Sequence, residues 1–298
     1  MIVGNRHEAM PRATGSAQRG VHLGVIDYLN VAPVYARILT EMGEAGASAP
    51  FATLAGVPAR MNDALADGVP DISNVSSYAF GVHAREWLLV PRLSVAAHGR
   101  VDSVLLFSWH DDWRALDGRP VALTDQSATS IELVKALAAN RHHITPSYTL
   151  APGDLDAMLL THDAALLIGD RALVERHARR VVAGRGVPHV FDLAAEWQAW
   201  TDLPFVFAVW AARADRVEAL RASGVVARLR ASKDWGLAHL DAIAAEYAER
   251  LGLTPAVCAE YLRLLDYELG PRDLVGLRTF LEMTVPRFAW STVRPYED

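Results

Sequence analysis

The amino-acid sequence predicts an α/β protein built as a two-lobed clamp with a helical C-terminal region. Three observations point there. From Val21 onward, short apolar runs alternate with helical patterns, as in βαβ units that feed a parallel or mixed sheet. A polar break over 110–120 interrupts this series, after which the same alternation restarts. Two strongly apolar segments, around Leu105 and Phe207, carry the chain from one lobe to the other and back, and beyond the second the chain is almost wholly helical.

In order, Val21 to Ile26 reads as the first strand, ending at Tyr28-Leu29-Asn30. Val31 to Met42 follows as a helix, with Asn30 at its N-cap and Pro33 tolerated in its first turn. Pro50 to Ala55 is a second strand, and Val57 to Leu65 a helix stopped by Gly68 and Pro70. Asp71 to Val75 is a third strand that delivers Ser76 and Ser77 to another helix start. Leu88 to Val95 and Asp102 to Trp109 are strands separated by a turn at His98-Gly99. The second series comprises Val121 to Thr124, Ile131 to Ala139, Tyr148 to Leu150, Leu155 to Leu160 and Ala164 to Ile168. Phe205 to Ala211 is the returning strand, and four helices follow, over Arg216 to Arg230, Trp235 to Leu251, Pro255 to Leu265 and Arg272 to Met283.

This order divides the chain into a flexible extension over 1–20, a first lobe of 21–106 plus 207–298, and a second lobe of 107–206. A ligand then belongs between the lobes, at strand carboxyl ends. One continuous doubly wound sheet without a hinge is the competing arrangement.

Composition narrows the function. With 298 residues, 51% of them hydrophobic and 21% charged, the chain can bury a sizeable core. Its formal charge of −6 and lack of a long basic run argue against nucleic acid. The single Cys258 excludes an internal disulfide and a thiolate cluster. The first twenty residues lack the apolar core of an export signal, and no apolar run is long enough to span a membrane, so the expected location is the cytoplasm.

Three predicted strand-to-helix turns carry small hydroxyl or amide side chains: Asn30, Ser76-Ser77 and Ser127-Ala128-Thr129-Ser130. At such a turn the first backbone N–H groups lack helical partners and attract an anion, although ordinary N-capping accounts for the same residue types. Ser103, inside an apolar strand, must be solvated or hydrogen-bonded. Asp170 follows the run Ala164 to Gly169 and either binds a ligand hydroxyl or caps the next helix. P-loop, GxGxxG, HExxH and GxSxG signatures are absent. His142-His143 has no further ligand at metal spacing, and the eight tryptophans read chiefly as core.

Taken together, Gly24-Val25-Ile26-Asp27-Tyr28-Leu29-Asn30 with Pro33, Asp71-Ile72 leading to Ser76, Gly99-Arg100-Val101-Asp102-Ser103, Ser127-Ala128-Thr129-Ser130, Leu167-Ile168-Gly169-Asp170, and Thr201 to Trp210 resemble the chorismate dehydratases of the futalosine route to menaquinone. The resemblance runs from about Val21 to the C-terminus. It implies the fold of type II periplasmic binding proteins, and a lyase that removes water from chorismate to give 3-[(1-carboxyvinyl)oxy]benzoate without metal or organic cofactor. It also implies that the substrate's own enolpyruvyl carboxylate serves as base. Asn30 and Ser103 match the family's active-site Asn and Ser. Ser76, Ser127, Thr129 and Ser130 become carboxylate ligands, with Ser77 also substrate-binding and Asp170 a weaker candidate. His98 is outside the pattern, a ligand contact or a surface residue. The competing functions are the sister enzyme that makes 1,4-dihydroxy-6-naphthoate, and a non-catalytic cytoplasmic sensor on the same fold. The partner expected is a small dicarboxylate, with neither nucleic acid nor membrane, and the oligomeric state is left open.

Overall fold

A computed structural model describes residues 20–151 and 153–298. The expected extension over 1–20 lies, but for Gly20, outside the described residues. The chain runs β1 (Val21–Ile26), α1 (Ala32–Ala45), β2 (Phe51–Gly56), α2 (Pro58–Ala66), β3 (Ile72–Ser76), α3 (Ser77–Val82), β4 (Trp87–Ala97) and β5 (Val104–Ser108). It continues through β6 (Pro120–Leu123), α4 (Ala128–Ala136), β7 (Ser147–Leu150), α5 (Leu155–Thr161), β8 (Ala164–Ile168), α6 (Gly169–Ala178), β9 (His189–Asp192), α7 (Leu193–Thr201) and β10 (Phe205–Arg213). The last part comprises α8 (Val217–Ser223), α9 (Val225–Ala238), α10 (Leu240–Leu251), α11 (Pro255–Leu264), β11 (Leu265–Asp266), α12 (Pro271–Thr284) and β12 (Arg294–Pro295).

Two sheets result, and helices cover them. The first has the order β11-β4-β10-β3-β1-β2, with β12 also on β4, and the second the order β7-β6-β8-β5-β9. β1 lies between β2 and β3 with all three parallel, whereas β10 is antiparallel to both β3 and β4. The hydrophobic run of β1 is buried almost throughout, as expected of a parallel strand covered on both faces. Helix α9 approaches α1 so closely that a Cβ on Gly236 would stand 2.0 Å from Pro33 O, so only glycine allows this contact.

Sheet membership changes within 98–103 and again within 202–204. All of β5 pairs with β8 and β9, and all of β10 with β3 and β4, so the crossings precede the expected 106/107 and 206/207 positions by a few residues. Apolar runs that continue into the next strand hide such turns from sequence. Both crossings contain an aspartate in left-handed backbone, Asp102 at φ 59° and Asp202 at φ 57°. The first crossing is pinned from the second lobe: Asp192 accepts the N–H groups of Val101, at 2.9 Å, and Asp102, at 2.8 Å, while capping α7 through Ala194 and Ala195.

Other expectations shift locally. Asn30 lies in a 3-10 turn, Leu29–Val31, and makes no cap bond; Val31 stands at the N-cap of α1. The predicted helix from Arg216 to Arg230 is broken at Gly224, which ends α8 at φ 67°, and the one from Trp235 to Leu251 is broken at His239. β9 and α7 have no counterpart in the sequence prediction, because β9 is short and partly exposed.

Candidate active site

Between the sheets lies a cleft with about 610 Å³ of space not filled by protein atoms. Its wall is built from strand ends and crossings: Ile26 at the end of β1, Asn30 in the 3-10 turn, Asn74 and Ser76 on β3, Ser103 before β5, and Ser127 with Ser130 at the start of α4. Ile168, Gly169, Phe207 and Leu265 add apolar surface. No lining residue is charged, so an anion here must be held by N–H and O–H groups.

Two amide atoms have no partner. Asn30 Oδ1 and Asn74 Nδ2 are buried, line the cleft and make no hydrogen bond, although Asn74 is only 3% exposed. A buried polar group left unpaired costs ~1–3 kcal/mol, which a bound ligand would relieve. Ser103 is 2% exposed, and its Oγ accepts a bond of 2.8 Å from the hydroxyl of Tyr261 on α11. Ser127 Oγ accepts the Ser130 N–H at 3.2 Å, an N-cap as the sequence allows, and the two Oγ atoms lie 2.9 Å apart. Ser76 caps α3 through the Ala79 N–H at 3.2 Å and also accepts from Asn62 Nδ2 at 3.3 Å.

Of the candidate residues, Asn30, Ser76, Ser103, Ser127 and Ser130 meet at the cleft, whereas Ser77, Thr129 and Asp170 are not on its wall. Ser77 Oγ donates to Val206 O at 2.7 Å, fastening α3 to β10. Thr129 Oγ1 accepts the Tyr78 N–H at 2.9 Å, so it joins the second lobe to the first. Asp170 accepts the Leu29 N–H at 3.0 Å and fastens α6 to the turn that carries Asn30; burial pushes its carboxyl up to about 6. Tyr28 makes a third link, donating to Gln126 Oε1 at 2.9 Å. Its ring packs so tightly on Gly169 that a Cβ there would stand 2.9 Å from Tyr28 Cε2, and Gly169 holds φ +65°.

Among the described residues one cluster has metal-ligand composition, His98 with Asp266 and Asp273, and it is not on the cleft wall. His98 Nε2 lies 3.0 Å from Asp273 Oδ1 and 3.2 Å from Asp266 Oδ2, an ion-pair spacing, and the other Asp273 oxygen accepts the Gly270 N–H. Sequence reasoning missed Asn74, Tyr261, Tyr28 and Gln126. Polar residues beside predicted hydroxyl turns were the available signal for Asn74 and Gln126; nothing local marks Tyr261.

Residues 21–286 match the family model described as menaquinone biosynthesis. The chain is 37% identical over 270 residues, covering 87% of this chain and 93% of the relative, to a protein of Thermus thermophilus named chorismate dehydratase. Among solved structures it resembles a protein of Archaeoglobus fulgidus, at TM-score 0.69 and 16% identity over 90% of this chain and 97% of that one. It also resembles the periplasmic aliphatic sulphonate binding protein of Escherichia coli, at TM-score 0.60 and 14% identity over 89% and 86%. These two likenesses fix the periplasmic-binding-protein-like clamp fold. From the turn that presents Asn30 to the helices that back the cleft, the chain belongs to the menaquinone-biosynthesis family.

Proposed function

We propose that this protein is a cytoplasmic chorismate dehydratase, a hydro-lyase that converts chorismate to 3-[(1-carboxyvinyl)oxy]benzoate and water. The observation that carries the proposal is an uncharged cleft lined by Asn30, whose Oδ1 is unpaired, together with Ser103, Ser127 and Ser130, in a chain 37% identical to a chorismate dehydratase.

The chemistry suits such a wall. Removal of the ring carbon 3 proton leaves charge that the diene delocalises toward the ring carboxylate, and loss of the carbon 4 hydroxyl makes the ring aromatic. The resemblance to chorismate dehydratases implies that the substrate's enolpyruvyl carboxylate is the base, and a wall without His, Asp, Glu or Lys supports that reading. The protein's work is to fix the eliminating conformer and exclude water. Ser127 and Ser130, at the positive end of α4, are assigned to a carboxylate, with the Asn74 amide as a further donor. Asn30 and Ser103 are assigned to the reacting side.

Incubating the pure protein with chorismate, after exhaustive chelation, tests this. An aromatic product of the expected mass is the predicted outcome. Unchanged chorismate that binds tightly would indicate a sensor, and conversion of a cyclic futalosine derivative instead would indicate the sister enzyme. Activity lost to EDTA and restored by a divalent metal would overturn the cofactor-free mechanism.

A further inference from the structure

We infer that Tyr261 is a positioning residue for the dehydration, holding the Ser103 hydroxyl so that its proton faces the cleft. This rests on the chorismate dehydratase reading. Tyr261 comes from α11, 158 residues along the chain from Ser103, and its hydroxyl reaches Ser103 Oγ at 2.8 Å. Both residues are only 2% exposed.

The direction of the bond follows from its setting. Among the described residues no second hydrogen-bond partner of the Tyr261 hydroxyl is found, and a buried O–H that donated to nothing would forfeit its bond. Burial also pushes the phenol far above its usual range, so it keeps its proton. Hence Tyr261 donates and Ser103 accepts. A serine hydroxyl has one proton and two lone pairs. With one lone pair occupied by Tyr261, the proton of Ser103 is free for a ligand in the cleft that Ser103 lines.

That arrangement separates the roles of Ser103 and Asn30. The unpaired Asn30 Oδ1 accepts, whereas Ser103, backed by Tyr261, donates to the oxygen that departs from carbon 4. In the elimination the electron pair of the carbon 3–hydrogen bond becomes the new ring π bond. The carbon 4–oxygen bond breaks onto oxygen, and the proton removed from carbon 3 completes the water. Tyr261 and Ser103 keep their own protons; their hydrogen bonds strengthen as negative charge develops on the departing oxygen, and each polarises the other.

Tyr261→Phe keeps the ring and removes the donor. With chorismate, kcat is expected to fall about ten-fold while KM changes by less than about two-fold. The double variant Tyr261→Phe with Ser103→Ala should be no slower than Ser103→Ala alone, because the two hydroxyls act as one unit. Wild-type kcat in Tyr261→Phe, or defects that multiply in the double variant, would overturn the positioning role. Should Tyr261→Phe prove unfolded, a ring-fluorinated tyrosine at 261 keeps the donor; it should retain wild-type kcat, and a marked fall would count against the proposal. Absence of turnover in the wild type overturns the dehydratase reading and this inference with it, whereas normal wild-type turnover with an unimpaired Tyr261→Phe overturns this inference alone.

Discussion

Asn30 and Asn74 show what an unpaired side chain means at a site. Neither amide atom has a protein partner, so each leaves the free protein with a hydrogen bond that a ligand in the cleft can supply. Removing Asn30 loses no helix cap, since the turn before α1 is closed without it. Asn30→Ala should therefore lower turnover by ~10²–10³ with little change in Tm, the usual loss for a preorganised transition-state contact. A fall in Tm proportionate to the lost activity would return Asn30 to a structural role. Asn74→Ala should raise KM about ten-fold, with stability within about 1 kcal/mol of wild type because lost packing opposes relief of the stranded amide. Unchanged product affinity in calorimetry would remove Asn74 from the site. Sequence made Asn30 and the serines legible through their place at strand ends, and Ser76 and Ser127 do cap helices as residue type predicts. It could not separate Ser76 from Ser77, since neighbours in a chain face different ways and only the pairing of β3 with β10 decides which meets the cleft.

At the scale of elements, the carboxyl of Asp170 is the joint between α6 and the 3-10 turn that presents Asn30. Its folded-state pKa stands near 6, above the ordinary 3.8, chiefly because burial disfavours the charged form; the Leu29 N–H and, more weakly, Arg250 oppose this. A raised acid pKa means that the folded state holds the proton more tightly, so the stabilising contribution is complete below about pH 4 and is lost as pH rises through about 6. Asp170→Asn keeps an oxygen for Leu29 but cannot ionise. Its stability relative to wild type should rise between pH 4 and 7, by on the order of 2 kcal/mol at most. Urea unfolding across that range checks this, and a difference independent of pH would show that Asp170 does not titrate there. Strands such as β1 and β8 were legible to the residue because their apolar runs are bounded by polar turns. The sequence reading ran one helix across Gly224 and another across His239 and left a gap over 231–234, which is the middle of α9, because α8, α9 and α10 all pack on the same core and the breaks between them leave no gap in the apolar pattern.

For the whole molecule, the question is how a substrate enters a cleft whose lobes are already tied together. Tyr28 with Gln126, Leu29 with Asp170, Tyr78 with Thr129 and Tyr261 with Ser103 all bridge the walls on either side of the cleft. Meanwhile, among the described residues, the chain crosses between the sheets only at 98–103 and 202–204, where Asp102 and Asp202 hold left-handed backbone. The two thin crossings are where a hinge between the lobes would bend, and its closed form would be held by these hydrogen bonds of ~1 kcal/mol each, by the packing of α4 on α3 and α12, and by a ligand that touches both lobes. Thr129 then acts through closure instead of through direct contact with a carboxylate. Thr129→Val and Tyr28→Phe each remove one tie, so together they should shift the ligand-free protein toward the open form and weaken product affinity about ten-fold or more. Turnover at saturation should suffer less, because substrate binding supplies the missing closure. Small-angle scattering gives the direct readout. A compact chain of this length has a radius of gyration of about 19 Å; wild type with product should approach the most compact value, and the ligand-free double variant should be measurably larger. If product leaves the radius unchanged in both proteins, the lobes do not move, and the four ties are ordinary core contacts of a rigid body.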